Sequence, residues 1–347
     1  MSTVPDSVRL APGAGGLPVL RVDGSAGWAE IYLHGAHVAA WAPRGQESVL
    51  WLSGLSRFDE STAIRGGIPV CFPWFGPLAG RPDAPRHGFA RTAGWTFDGA
   101  DDDGHDVTVR LTLSDSDVTR GSAWPHPFSA VCTVVVGARL TVALEVASTG
   151  DAPVTYEEAL HTYLAVADVT AAELTGLEGI AYLDKTADGA RVAGEDGPLR
   201  VTGEVDRIYV GAPPTVTLRD RAGARAVHVA ASGSGSTVVW NPGREGARAT
   251  SDLDDDGWVT MLCVEASNVG EAAVHLEPGE SHTLVTSIAT RHEPSERATV
   301  HRAAVHRAAV HRPDADPAAV PTESVTTGPG TADDPDTSTS WKVRDRA

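Results

Sequence analysis

Between residues 17 and 289 the chain is a succession of short runs rich in β-branched and aromatic residues, each closed by Gly, Asp or Pro. Such runs at 17–22, 28–33, 37–41, 48–52, 94–97, 107–113, 130–136, 139–146, 154–166, 207–210, 215–218, 226–230, 237–241, 258–267 and 282–289 read as strands. The pair at 130–136 and 139–146 flanks Gly137 and Ala138 and predicts a hairpin, while Asp101, Asp102, Asp103 and Gly104 predict an acidic turn. Helix signals are weak, and residues 50–58 carry at most a short turn. Many short strands with turn punctuation favour an all-β fold, an antiparallel two-sheet β-sandwich or barrel, over α/β.

One stretch departs from this rhythm. Residues 63–95 read AIRGGIPVCFPWFGPLAGRPDAPRHGFARTAGW. Proline fixes its own φ and donates no hydrogen bond, so neither a long helix nor a central strand passes through the segment. A run this apolar must pack as an ordered loop, and loops held on a rigid scaffold are where binding groups concentrate. Arg65, Arg86, His87 and Arg91 are threaded among its aromatics. Two readings stand side by side: one wall of a ligand site with arginines facing an anion, or a plug over one end of the sandwich whose arginines are surface charge.

Charge sharpens the question, because the 347-residue chain carries a formal net charge of −18. That balance excludes a general nucleic-acid or anionic-membrane partner, which needs a basic face, and makes a cluster of arginines conspicuous. The N-terminus shows no signal-peptide pattern, and no run approaches a membrane span, so a cytoplasmic, monomeric protein is expected. Cys71, Cys132 and Cys263 sit far apart in apolar runs, as reduced core thiols do.

Two predicted strands hold ionisable residues where a core should be. His161 lies in TYEEALHTYLAV beside Ala159 and Tyr163 on one face, and Glu265 lies in TMLCVEASNV beside Met261 and Cys263. A carboxylate on an apolar strand face is costly to ionise, and desolvation raises its pKa towards the range of a general base at neutral pH. The bland alternative for His161 is a hydrogen-bonded core histidine. Asp252, Asp254, Asp256 and Gly257 imitate the start of a calcium loop, but Cys263 occupies the twelfth position and an acidic hairpin turn is the better account. His34 and His37 lack the two-residue offset that would set both on one strand face, so no metal site is expected there.

Taken together, IRGGIPVCFPWFGP at 64–77, HGFAR at 87–91, EEALHTYL at 157–164, GLEGIAYLDK at 176–185, EVDRIY at 204–209, VVWNP at 238–242 and MLCVEASNV at 261–269 resemble the hexose-6-phosphate mutarotase branch of the aldose 1-epimerase family. The resemblance implies a galactose-mutarotase-like supersandwich with a cleft over one sheet. It implies His161 and Glu265 as the catalytic pair, Asp184 and His87 on sugar hydroxyls, and Arg65 and Arg91 on the phosphate. Arg86 stands where relatives often carry Gln, and would add charge there. Gly243 and Gly246 open the loop after Asn241 and Pro242, where many relatives carry Trp.

The residues fit that chemistry on their own terms. Anomer exchange needs a base for the C1 hydroxyl and an acid for the ring oxygen; Glu265 suits the first and a protonated His161 the second. No metal, nucleotide or other cofactor is required. The expected partner is a small-molecule sugar phosphate. A neutral-sugar aldose 1-epimerase and a non-catalytic carbohydrate-binding sandwich remain the alternatives. The sandwich is expected to span residues 1–290. Residues 291–347, with Val-His-Arg repeated at Val300, Val305 and Val310, match neither helix nor strand period and read as a disordered low-complexity tail.

Overall fold

A computed structural model describes residues 4–211 and 213–293. The tail and its Val-His-Arg repeat lie outside the described residues. Two eight-stranded antiparallel sheets form the body, with a four-stranded and a two-stranded sheet beside them. The back sheet contains the long hairpin Phe128–Val136 and Arg139–Ser148, where the sequence placed it, and Ser281–His292. Burial alternates strictly along Phe128–Val136, as a half-buried strand requires.

The front sheet runs through Tyr182–Asp184, Val205–Val210, Ser236–Asn241, Met261–Asn268 and Glu158–Leu160 to Val70–Cys71. Every residue of Met261–Asn268 is buried, so this strand has protein on both faces. Strand alternation sets Leu262, Val264 and Ala266 on one face and Cys263 and Glu265 on the other.

Several sequence expectations need correction. Residues 48–52 form no strand; Leu50 and Leu52 make single bridges to Leu164 and Gly66. The predicted strand over 154–166 is three short ones, Val154–Tyr156, Glu158–Leu160 and Tyr163–Ala165. The break arises at His161 and Thr162, where the Thr162 amide turns back to the Leu160 carbonyl at 2.8 Å. Gly243–Ala249 is a short helix and not an open loop; Gly243 begins it at φ +60°. The acidic run at Asp252 belongs to the connection that follows this helix, with no hairpin turn.

The last strand ends at His292, which pairs with Arg225, so the fold runs slightly past residue 290. A chain ending after Glu293 is therefore expected to keep its melting temperature and activity. A loss of several degrees on truncation would show that the tail supports the sandwich.

One buried polar cluster has a calculable consequence. Glu158 is fully buried, accepts a 2.9 Å hydrogen bond from Asn268 Nδ2, and its carboxyl is pushed up to about 8 by burial. A raised folded-state pKa contributes stability below the unfolded value that is lost as pH rises through the folded value. Stability should therefore fall between about pH 4.5 and 8, and Glu158→Gln should flatten that fall in melting curves. An unchanged pH slope would contradict this.

Candidate active site

The Pro-rich stretch folds back as one wall of a cleft. Its Val70–Cys71 segment pairs with Leu160 and Ala159, so it contributes an edge strand of two residues to the front sheet. Phe72 anchors it in a cluster with Phe89, Trp124, Phe128 and Tyr156, centroids 5.2–5.9 Å away. Trp74 Nε1 donates to the Pro85 carbonyl at 2.9 Å, and Glu157 accepts from the Phe75 amide at 2.9 Å. Gly88 makes the tight fold possible: at φ +73° a Cβ would sit 1.9 Å from the Phe72 carbonyl oxygen. These contacts hold HGFAR over the sheet.

Behind this wall lies a cavity of about 240 Å³, in scale with a monosaccharide rather than a larger ligand. His161, Glu265, Arg65, Arg86, His87 and Arg91 all line it. Six of the seven residues singled out in the sequence thus meet in one place. The register explains the floor. Asp206 is opposite Trp240, Trp240 opposite Cys263, and Cys263 opposite Tyr163 across four neighbouring strands. Glu265 stands two residues beyond Cys263 on the same face, and the register from Leu160 opposite Ala266 to Tyr163 opposite Cys263 brings His161 alongside it.

His161 Nδ1 and Glu265 Oε1 face each other at 3.3 Å, yet His161 Nδ1 and both Glu265 oxygens are buried without a hydrogen-bond partner. Tyr163 stacks on the imidazole at 4.8 Å and 10°, Trp240 meets it edge-on at 6.0 Å, and His87 crosses it at 5.6 Å. The ring is thereby fixed in orientation. Burial, then Arg91 and Arg65, hold the imidazole well below its usual pKa; burial, then Asp206, push the Glu265 carboxyl well above its own. Each partner is driven towards its neutral form, the opposite sense to an imidazolium beside an ionised carboxylate.

The cationic side is less uniform than the sequence suggests. Arg65 donates from Nε to Asp252 Oδ1 and from Nη1 to the Tyr163 hydroxyl, both at 3.1 Å. It fits both readings of the arginines at once, since it braces the wall and lines the cavity. Asp252, in the calcium-like run, is its structural partner. Arg91 donates to the Arg86 carbonyl at 2.7 Å and is depressed by burial, with Arg65 and Arg86 adding repulsion. Arg86 itself is exposed at the rim. His87 accepts a 3.2 Å hydrogen bond from the Gly76 amide at Nδ1, which leaves its proton on Nε2, and burial keeps the ring neutral.

Asp184 is the exception. It lies off the cavity wall, and its carboxylate caps the following turn by accepting from the Thr186 amide at 2.9 Å and hydroxyl at 2.6 Å. Lys185 and Asp206 line the cavity instead, paired at 3.1 Å, with Lys185 5.5 Å from the centre of the Phe75 ring. Sequence reasoning passed over both. Each sits inside a motif already singled out, Lys185 closing GLEGIAYLDK and Asp206 within EVDRIY, but the turn after Asp184 decides which neighbour reaches the cleft.

The chain is similar to known proteins over most of the described residues. The family described as Aldose 1-epimerase matches residues 19–289. An Escherichia coli K12 protein named "Putative glucose-6-phosphate 1-epimerase" is 36% identical over 255 residues, 74% of this chain and 84% of that protein. The crystal structure of "a putative mutarotase" from Salmonella typhimurium superposes with a TM-score of 0.78 at 30% identity, covering 84% of this chain and 96% of that one. Galactose 1-epimerase from Lactobacillus acidophilus, at 14% identity and a TM-score of 0.65, covers 84% of this chain and 100% of its own and shares the fold.

Proposed function

The chain belongs to the aldose 1-epimerase family, and from that premise we propose that it interconverts the α and β anomers of a hexose 6-phosphate, glucose 6-phosphate above all. The observation that carries this reading is the cavity itself, where an unpartnered His161–Glu265 pair shares a wall with three arginines and a lysine. The relatives' names supply the substrate class.

Ring opening takes a proton from the C1 hydroxyl and gives one to the ring oxygen; closure reverses both. The pair holds a single acidic proton, on Glu265 or on His161, and the two forms differ by one transfer across 3.3 Å. Arg91, Arg65 and Lys185 are among the influences that keep His161 neutral. A phosphate dianion beside those cations offsets them and favours imidazolium with carboxylate. His161 then serves as the acid and Glu265 as the base, and the substrate's own charge readies the pair. Asp206 and His87 are placed to hold sugar hydroxyls, the role expected of Asp184. Arg91 binds the phosphate with Arg65 beside it in the cavity, and Arg86 adds charge at the rim; the guanidinium fork matches two phosphate oxygens.

A pH profile follows, with the sign fixed by the shifts. The one-proton form extends below the ordinary imidazole pKa and above the ordinary carboxylate pKa. For free glucose, which carries no titrating phosphate, kcat/KM should therefore show no limb centred on the ordinary imidazole or carboxylate pKa, its apparent values belonging to the pair. A limb centred on either ordinary value would contradict the coupled pair. The function itself is tested by polarimetry of freshly dissolved α-glucose 6-phosphate and α-glucose. The rotation of the first should relax faster with the protein than without it, and more steeply with protein concentration than that of the second. No acceleration on either sugar would refute the proposal, and a preference for free glucose would favour the neutral-sugar alternative.

A further inference from the structure

Cys263 has no part in the acid–base scheme, yet its thiol belongs to the same cluster. Its sulfur, a His161 nitrogen and a Glu265 oxygen all lie within 4.8 Å of one another. All three residues are at least nine-tenths buried, at 0%, 7% and 1% exposure. We propose that this triad is an inhibitory site for a zinc-class divalent ion, which blocks the cleft by taking the catalytic pair as ligands. The inference rests on the reading of His161 and Glu265 given above.

Three observations support it. The donor set, one sulfur, one imidazole nitrogen and one carboxylate oxygen, is that of borderline-soft ions such as Zn²⁺ and not of Ca²⁺ or Mg²⁺, which take oxygen. The 3.3 Å between His161 Nδ1 and Glu265 Oε1 matches the spacing of two ligands at about 2.0–2.1 Å around a tetrahedral ion, roughly 3.3 Å. Both of those atoms are buried without a hydrogen-bond partner, so an ion would satisfy them without breaking an existing contact. Charge also balances: a thiolate and a carboxylate neutralise the dication, and the thiol and carboxyl protons leave to solvent. His161 and Glu265 also line the cavity, with Cys263 behind them, so a fourth ligand, water or a sugar hydroxyl, would approach from the cavity to complete the tetrahedron.

The test uses the full-length protein and cobalt(II) chloride as a spectroscopic stand-in for zinc. One equivalent of Co²⁺ should give a thiolate-to-cobalt charge-transfer band. That band should be lost in Cys263→Ser and Cys263→Ala and kept in Cys71→Ser, and Zn²⁺ should displace it. With anomer exchange as readout, Zn²⁺ should inhibit competitively with glucose 6-phosphate, and chelation should restore the rate. Cys263→Ser should keep its rate without metal and need more than about tenfold more Zn²⁺ for equal inhibition, since loss of even an outer-shell partner costs about that much affinity. A missing band, or equal zinc sensitivity in wild type and both Cys263 variants, would overturn the proposal. The band is read without turnover, so a protein inactive on sugars that still binds Co²⁺ through Cys263 would refute the enzymatic reading and leave the metal site standing.

Discussion

Glu265→Gln and His161→Asn are each expected to lower anomer exchange by about a hundred- to ten-thousandfold, the range that positioned acid–base groups supply. Both substitutions are close in shape, and both side chains are buried in a floor braced by Tyr163 and Trp240. The double variant should be little worse than either single one, because residues that act as a unit on one proton are not additive. Glu265→Gln should also be the more conservative change structurally. It replaces a carboxyl that burial pushes towards its neutral form with a neutral group of the same shape. Either variant retaining near wild-type exchange, with an unchanged melting curve, would remove that residue from the mechanism.

The second large effect concerns substrate choice. Arg91→Ala should lower kcat/KM for glucose 6-phosphate by roughly ten- to a hundredfold, the worth of one charge-assisted hydrogen bond, and lower that for free glucose far less. Arg91 is the cleanest probe because, among the described residues, its side chain bonds to the Arg86 carbonyl and to no other side chain. Arg65→Ala should behave differently, since it also releases Asp252 and the Tyr163 hydroxyl, and Tyr163 stacks on His161. It is expected to slow both sugars and to lower stability. Arg86→Gln, at the exposed rim, should be mild. Equal losses on both sugars for Arg91→Ala would mean that the arginines shape the wall and do not hold phosphate.

Much of this site was legible in the sequence, for physical reasons that can be traced. A histidine and a glutamate on apolar strand faces announce themselves because burying them is costly. Arginines among prolines stand out in an acidic chain. What could not be read was decided by backbone turns and register. The register that sets Leu160 opposite Ala266 and Tyr163 opposite Cys263 carries His161 opposite Glu265, a pairing of two distant segments that neither run shows by itself. The turn after Asp184 spends that carboxylate on Thr186 and sends Lys185 to the cavity with Asp206. The proximity of Cys263 to the pair follows from a two-residue spacing visible in MLCVEASNV, but its reach to His161 needs the third strand. Short edge strands such as Val70–Cys71 and Tyr182–Asp184 carry too few residues to show a period.

Acceleration of hexose 6-phosphate anomer exchange is expected to run through His161 and Glu265. It is tested most directly by NMR magnetisation exchange between the α and β C1 protons of glucose 6-phosphate at equilibrium. Exchange should rise in proportion to wild-type protein, exceed that for free glucose under the same conditions, and return to the spontaneous rate with Glu265→Gln. Exchange that stays at the spontaneous rate with folded wild-type protein, or that survives Glu265→Gln undiminished, would contradict the account.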